Sequence, residues 1–331
     1  MSRYSWCRYL IFVMCISLIC AIVLCEAVYL RIYRLKWHDP IAQFDAELGW
    51  SPIPNEHIEH KWGDITSNSF GFRSEEIDQK KNHVIILGDS VAWGFGVGDT
   101  ETMPYYLNQK LKPLNYQVHN LAVAAYGIGQ SSLFLQRHVD KFENLKYIIL
   151  VVYTNNDFWE TTRDIAWGKR KPLYVLKEGK LVLTNVPISK YNIRNMLSAS
   201  KILESLSRKY GKVSSFLDLL AGRKILDKKD GEKAISLLLK RIHDIASEHQ
   251  ARLVVVTAPS KKDFTSKSDD FMWFQNFFHS KNHHYPRIDF YDTIASQPED
   301  LDKIYKKGDP AHFSPYGNKL FAETLFKHID M

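Results

Sequence analysis

Ser90 stands in Gly88-Asp89-Ser90, directly after the apolar run Val84 to Leu87 (VIIL). A serine hydroxyl is a poor nucleophile near neutral pH and needs a base to take its proton. Histidine titrates close to physiological pH, and a carboxylate beside it fixes the tautomer and supports the imidazolium. Asp309-Pro-Ala-His312 offers that pair three residues apart on one loop, just before a helix with Ser314 as N-cap and Pro315 in its first turn. The chemistry these residues could perform is acyl transfer, with Ser90 as nucleophile, His312 as base and Asp309 as its orienting acid. Taken singly, each block has a plainer reading: Gly-Asp-Ser as a turn, Asp309 as a cap, His312 as a surface histidine.

Acyl transfer also needs donors for the developing oxyanion. Asn120-Leu-Ala-Val-Ala-Ala-Tyr-Gly127 offers a backbone N–H at Gly127, and Thr154-Asn-Asn156-Asp157 offers a side-chain amide at Asn156. With the N–H of Ser90 itself these make the expected oxyanion hole. Asn155 remains an alternative to Asn156.

These residues must be positioned by a rigid frame, and the apolar pattern supplies one. VIIL (84–87), Tyr116 to Leu121, YIILVVY (147–153), LVVVTA (253–258) and IDFYD (288–292) read as strands, the longest being apolar throughout, as burial on both faces requires. Helices are expected at 103–111, 130–142, 232–249 and 315–328. Alternation of this kind predicts an α/β fold, a doubly wound and mostly parallel five-stranded sheet between helical layers. Ser90, Gly127 and Asn156 then follow the carboxyl ends of successive strands, where such sheets bind ligands.

Two stretches break the alternation. Residues 37–82 are rich in Pro, Gly and polar residues and read as an irregular lead-in with short extended pieces. Residues 158–231 are too long for a connection and read as an insertion. Within it KPLYVLKEGKLVLTNVP predicts a hairpin turning at Glu178-Gly179, followed by two short helices.

In order and content the blocks resemble the SGNH (GDSL-type) hydrolase superfamily, most specifically in GDSVAWG (Gly88 to Gly94) and DPAHFSPYGN (Asp309 to Asn318). The resemblance covers about residues 83–328. It implies a flavodoxin-like three-layer fold and serine ester hydrolysis, with Ser90, Gly127, Asn156, Asp309 and His312 in the family's roles. Two departures stand out: Thr154 where the third block usually has glycine, and Val91-Ala92 where Leu-Ser is frequent. Substrates implied are O-acyl groups, such as O-acetyl, of carbohydrate, or lipid esters. An O-acyltransferase with the same triad and a non-catalytic glycan- or partner-binding module are the competing readings.

No cofactor and no metal are expected. The glycines from Gly94 to Gly98 have the wrong spacing for a dinucleotide loop. His279, His283 and His284, like His57 and His60, fit no ligand pattern. Trp93, Trp159, Trp167 and Trp273 could line a pocket, although core packing is their ordinary role.

The chain of 331 residues carries a formal charge of +7, and 45% of it is apolar. Five positive residues and Glu26 fall within the first 38, so the remainder is only mildly basic, which argues against a nucleic-acid partner. All four cysteines (Cys7, Cys15, Cys20, Cys25) lie in or beside the first apolar run, leaving no disulfide framework for the folded domain. Tyr9 to Cys25 carries no charge, and the apolar stretch reaches Leu30, near the ~20 residues that span a bilayer. A retained single-pass anchor over residues 1–36 is expected rather than a cleaved signal peptide, because Cys25-Glu26-Ala27 is a poor cleavage site. Flanking charges do not decide orientation. The family analogy places the catalytic domain, 83–331, outside the cytoplasm, that is, in the periplasm. Oligomeric state is left open.

Overall fold

A computed structural model describes residues 42–166, 169–188, 224–280 and 285–329, with scattered positions between 6 and 24. The chain divides into two compact units, Met1–Pro40 with Tyr191–Arg223 and Ile41–Lys190 with Lys224–Met331. In the first unit the described residues between 6 and 24 are helical, and Tyr9, Phe12, Met14 and Leu24 are exposed. Among the described residues no helix is long and apolar enough to cross a membrane.

The second unit is built on strands β5 (Asn82–Leu87), β6 (Tyr116–Asn120), β7 (Leu145–Tyr153), β12 (Arg252–Ala258) and β13 (Arg287–Asp289). They form one sheet in the order β13-β12-β7-β5-β6, every pair parallel. Counting only these strands the order is 2-1-3-4-5, the flavodoxin-like winding, with its switch point between β5 and β7. Alternate residues face opposite layers: Val84, Ile86, Ile149, Val151, Val254 and Val256 point one way, and Ile85, Leu87, Ile148, Leu150 and Val255 the other. Helices α2 (Met103–Leu111) and α9 (Pro315–His328) cover the first face, and α3 (Ile128–His138) and α5 (Lys228–Glu248) the second. Each central strand buries both faces, which is why its sequence is continuously apolar.

Several expectations are corrected in detail. Residues 288–292 are not one strand: pairing stops at Asp289, whose carboxylate accepts the Tyr291 N–H at 3.0 Å and opens helix α7 (Phe290–Ala295). Phe290 is buried against Phe321 at 4.2 Å, so the apolar residues read as strand pack as helix. The second helix starts at Ile128 and ends at His138, the chain to Lys141 being a 3-10 turn.

The lead-in is more regular than expected. It holds two antiparallel hairpins, β1 (Ala42–Asp45) with β2 (Gly49–Pro52) and β3 (His57–His60) with β4 (Gly63–Thr66). Their strands are four residues long, too short for a sequence period to show. The inserted hairpin is present as β10 (Leu173–Lys177) and β11 (Lys180–Thr184), after a two-residue pair β8 (Ile165–Ala166) and β9 (Lys169–Arg170). Its turn sits at Glu178 and Gly179, with φ of 51° and 77°, as a two-residue I′ turn requires. Residues 189–223, where two short helices were expected, lie outside the described residues.

Candidate active site

Ser90 is the first residue of the short helix α1 (Ser90–Trp93), which leaves β5 through Gly88 and Asp89. Gly88 has φ of 146°, and a Cβ there would lie 2.7 Å from the Val151 carbonyl and 2.9 Å from the Ala92 methyl. Only glycine lets the chain turn this tightly against β7. The Asp89 carboxylate caps the helix by accepting the Val91 N–H at 2.9 Å.

Ser90, His312 and Asp309, predicted to act together, meet within hydrogen-bond reach. Ser90 Oγ lies 2.9 Å from His312 Nε2, and His312 Nδ1 lies 2.8 Å from Asp309 Oδ2. The other Asp309 oxygen accepts the N–H groups of Ala311 at 3.0 Å and His312 at 3.2 Å, so the loop folds around its carboxylate. Burial opposes charge on Asp309, but the hydrogen bond and charge of His312 and the two N–H groups outweigh it and hold the carboxyl at about 2. The acid is therefore an anion at any working pH, as orienting His312 demands.

Both helix starts nearby offer N–H groups that helical pairing leaves open. Ser90 is N1 of α1, and Gly127 is the N-cap of α3. A Cβ on Gly127 would lie 2.8 Å from the carbonyl carbon of Glu160 and the nitrogen of Thr161, so glycine is required for backbone to meet backbone. That close approach docks α3 on the helix α4 (Asp157–Thr161), which begins just after Asn156. The two asparagines of the third block part company. Asn155 Nδ2 donates to Asp263 Oδ2 at 2.5 Å, whereas Asn156 Nδ2 donates to Asp89 Oδ2 at 3.3 Å, beside Ser90 in the chain. Thr154, at the position of the usual glycine, donates both its N–H and its hydroxyl to the Ala258 carbonyl.

Beneath this rim lies a buried acidic group. Oxygens of Asp89, Asp157 and Glu160 lie within 4.8 Å of one another. Burial, then the charges of Asp89 and Glu160, push the Asp157 carboxyl well up, and burial raises Asp89 too. Lys171, buried from the insertion, supplies positive charge to Glu160, Asp164 and Asp157, while burial lowers its own ammonium to about 8. The acids thus have a lysine as counter-charge.

Several residues of consequence carry no sequence motif. Arg73, 6% exposed, donates to Asp99 at 2.8 Å, Trp93 O at 3.2 Å, Gly94 O at 2.9 Å and Val97 O at 2.8 Å, and lies over the Trp93 ring. It fixes the turn after Ser90. Hairpin β1–β2 does the same for the second block: Trp50 Nε1 donates to Ala124 O at 3.1 Å, and the Tyr126 hydroxyl to Trp50 O at 2.5 Å. Phe95 lies 4.7 Å from the His312 ring and Trp62 4.7 Å from Phe95, centroid to centroid. Of the tryptophans considered from sequence, Trp93 packs under Arg73, Trp159 against Arg163 and Trp273 against Phe158, and Trp167 lies outside the described residues. A charge pattern could not have flagged Arg73, since three of its four partners are backbone carbonyls and the fourth, Asp99, lies 26 residues away.

No family model and no curated protein matches the chain. Solved structures do. The chain is similar to a member of the lipolytic G-D-S-L family from Veillonella parvula, at 11% identity and TM-score 0.42, covering 75% of this chain and 97% of that one. It is similar to the psychrotrophic esterase EstA of a Pseudoalteromonas species, at 12% identity and TM-score 0.40, covering 75% and 96%. A Bacillus subtilis protein matches at 11% identity and TM-score 0.41, and there the chain spans 55% of the other's length. In its blocks, its 2-1-3-4-5 sheet and its hydrogen-bonded serine, histidine and aspartate, the chain is like the SGNH (GDSL-type) hydrolases.

Proposed function

We propose that this chain is a serine ester hydrolase that works through an acyl-enzyme on Ser90. The observation that carries the reading is the unbroken chain from Ser90 Oγ to His312 Nε2 and from His312 Nδ1 to Asp309. His312 takes the Ser90 proton as the oxygen attacks an ester carbonyl, and Asp309 stabilises the imidazolium. The N–H groups of Ser90 and Gly127 and the second amide hydrogen of Asn156 hold the oxyanion; its first is donated to Asp89. His312 returns the proton to the departing alcohol, and water, deprotonated by the same imidazole, releases the acid. The substrates in view are O-acyl groups of carbohydrate, or lipid esters.

The test is release of nitrophenol from 4-nitrophenyl acetate by the full chain in detergent. Ser90→Ala should lose about 10³-fold or more in kcat. Turnover that survives the substitution removes the serine mechanism. The apolar, exposed helical residues up to Leu24 support a membrane tether, and the family analogy puts the catalytic unit outside the cytoplasm. Protease added to spheroplasts should cleave the carboxyl-terminal unit, and cleavage only after lysis of the inner membrane would reverse the orientation.

A further inference from the structure

Lys306 lies between the triad loop and the turn after Ser90, and nothing in the proposed mechanism uses it. Its N–H donates to the His312 carbonyl at 3.0 Å and its carbonyl accepts from Asp309 N at 3.0 Å, so its backbone is locked to both triad members. Its side chain runs back over Gly96, where a Cβ would collide with the ammonium. Nζ comes to rest 4.8 Å from the Trp62 ring centroid and 5.5 Å from that of Phe95, the ring that packs on His312.

This ammonium is half-buried, and among the described residues no carboxylate pairs with it. The nearest acid in the loop, Asp309, is committed to His312. A second ammonium shares the same indole: Lys61 Nζ lies 5.8 Å from its centroid, and the His60 ring, held neutral by burial and the two lysines, lies 4.0 Å away. Burial disfavours the charged lysine, the Asp309 carboxylate partly restores it, and the neighbouring charge of Lys61 opposes it. Ring faces return only part of an ammonium's lost hydration, and like charges gather at a cost. Asp309 is shared with His312, so the ammonium has no ion-pair partner of its own, and Phe95 alone separates it from the His312 ring beside which a substrate on Ser90 would lie.

We propose that Lys306 recognises an anionic group, carboxylate or phosphate, that the substrate carries next to its ester. This deepens the esterase reading and rests on it for the identity of the bound molecule. The side chain acts by charge on the substrate and takes no part in bond making. Two sources share this chemistry, an acidic sugar ester and a phosphate-bearing lipid or polyol ester.

Three monoacetates separate the possibilities: those of methyl glucoside, methyl glucuronoside and glycerol 3-phosphate. The wild-type chain should turn over at least one anionic ester with kcat/KM about tenfold or more above the neutral one, the advantage shrinking with added salt. Lys306→Met should bring the ratio to near one, and Lys306→Arg should keep most of it. A wild-type ratio near one, or a ratio that survives Lys306→Met, overturns the proposal. Preference for the glucuronoside assigns the acidic sugar, and preference for the phosphate assigns the other source. If no ester is turned over, 4-nitrophenyl acetate included, the Ser90 reading falls and Lys306 is read by calorimetry alone. Methyl glucuronoside or glycerol 3-phosphate should then bind wild type about tenfold more tightly than Lys306→Met; absence of anion binding by wild type refutes the site.

Discussion

Replacing Arg73 by lysine isolates the geometry of the brace behind Ser90, because the charge and most of the stem remain. The guanidinium makes four hydrogen bonds in three directions, to Asp99, Trp93 O, Gly94 O and Val97 O. A lysine ammonium is shorter and cannot reproduce the fork, so it loses at least two of them. Hydrogen bonds to a charged group contribute about 1.5 kcal/mol each at the low end, which makes the loss about 3 kcal/mol. For a folded unit of this size that corresponds to about 6–12 °C in Tm. The turn it holds also carries Phe95 to the His312 ring, so kcat on 4-nitrophenyl acetate should fall in the same variant. Circular dichroism melts at neutral pH give the first number and initial rates the second. A Tm within about 2 °C of wild type would refute the claim that the buried fork, rather than the charge, fixes this turn.

Asp89→Asn should leave the fold intact, since it keeps an acceptor for Val91 and removes an anion that burial disfavours at neutral pH. It should nonetheless lower kcat about 10²-fold, because Asn156 can turn its amide to accept from the new side chain and then points no donor at the oxyanion; unchanged kcat in a well-folded variant would count against Asn156. Acid should destabilise the chain through His83, His119 and His138. Burial lowers all three, His119 to about 3 and His138 to about 4, so the folded state binds fewer protons than the unfolded one. Their stability is complete above pH 6.5 and drains as pH falls toward about 3, at up to about 1.4 kcal/mol per pH unit for each histidine. Urea unfolding at pH 7 and pH 5 measures it, and equal midpoints would contradict the burial argument.

The order of strands and helices was legible because each central strand is buried on both faces and each helix on one, and those demands write a local period into the chain. The Gly-Asp-Ser and Asp-x-x-His blocks could likewise be read as catalytic candidates, since a turn glycine and an N-cap serine act on their immediate neighbours. Where local signals competed, the sequence was ambiguous: the apolar residues after Asp289 suited strand and helix alike, and packing of Phe290 on Phe321 decided for helix. Asn155 and Asn156 are chemically identical neighbours, and only the closure of their loop against Asp263 on one side and Asp89 on the other separates their tasks. Ser90 and His312 are 222 residues apart, and no local period links them. Their meeting comes from the winding of the sheet, which brings the tips of β5 and β7 to one rim and returns the last loop to it. Arg73, Phe95 and Lys306 belong wholly to tertiary structure, because what each does depends on carbonyls, rings and open space that distant segments provide.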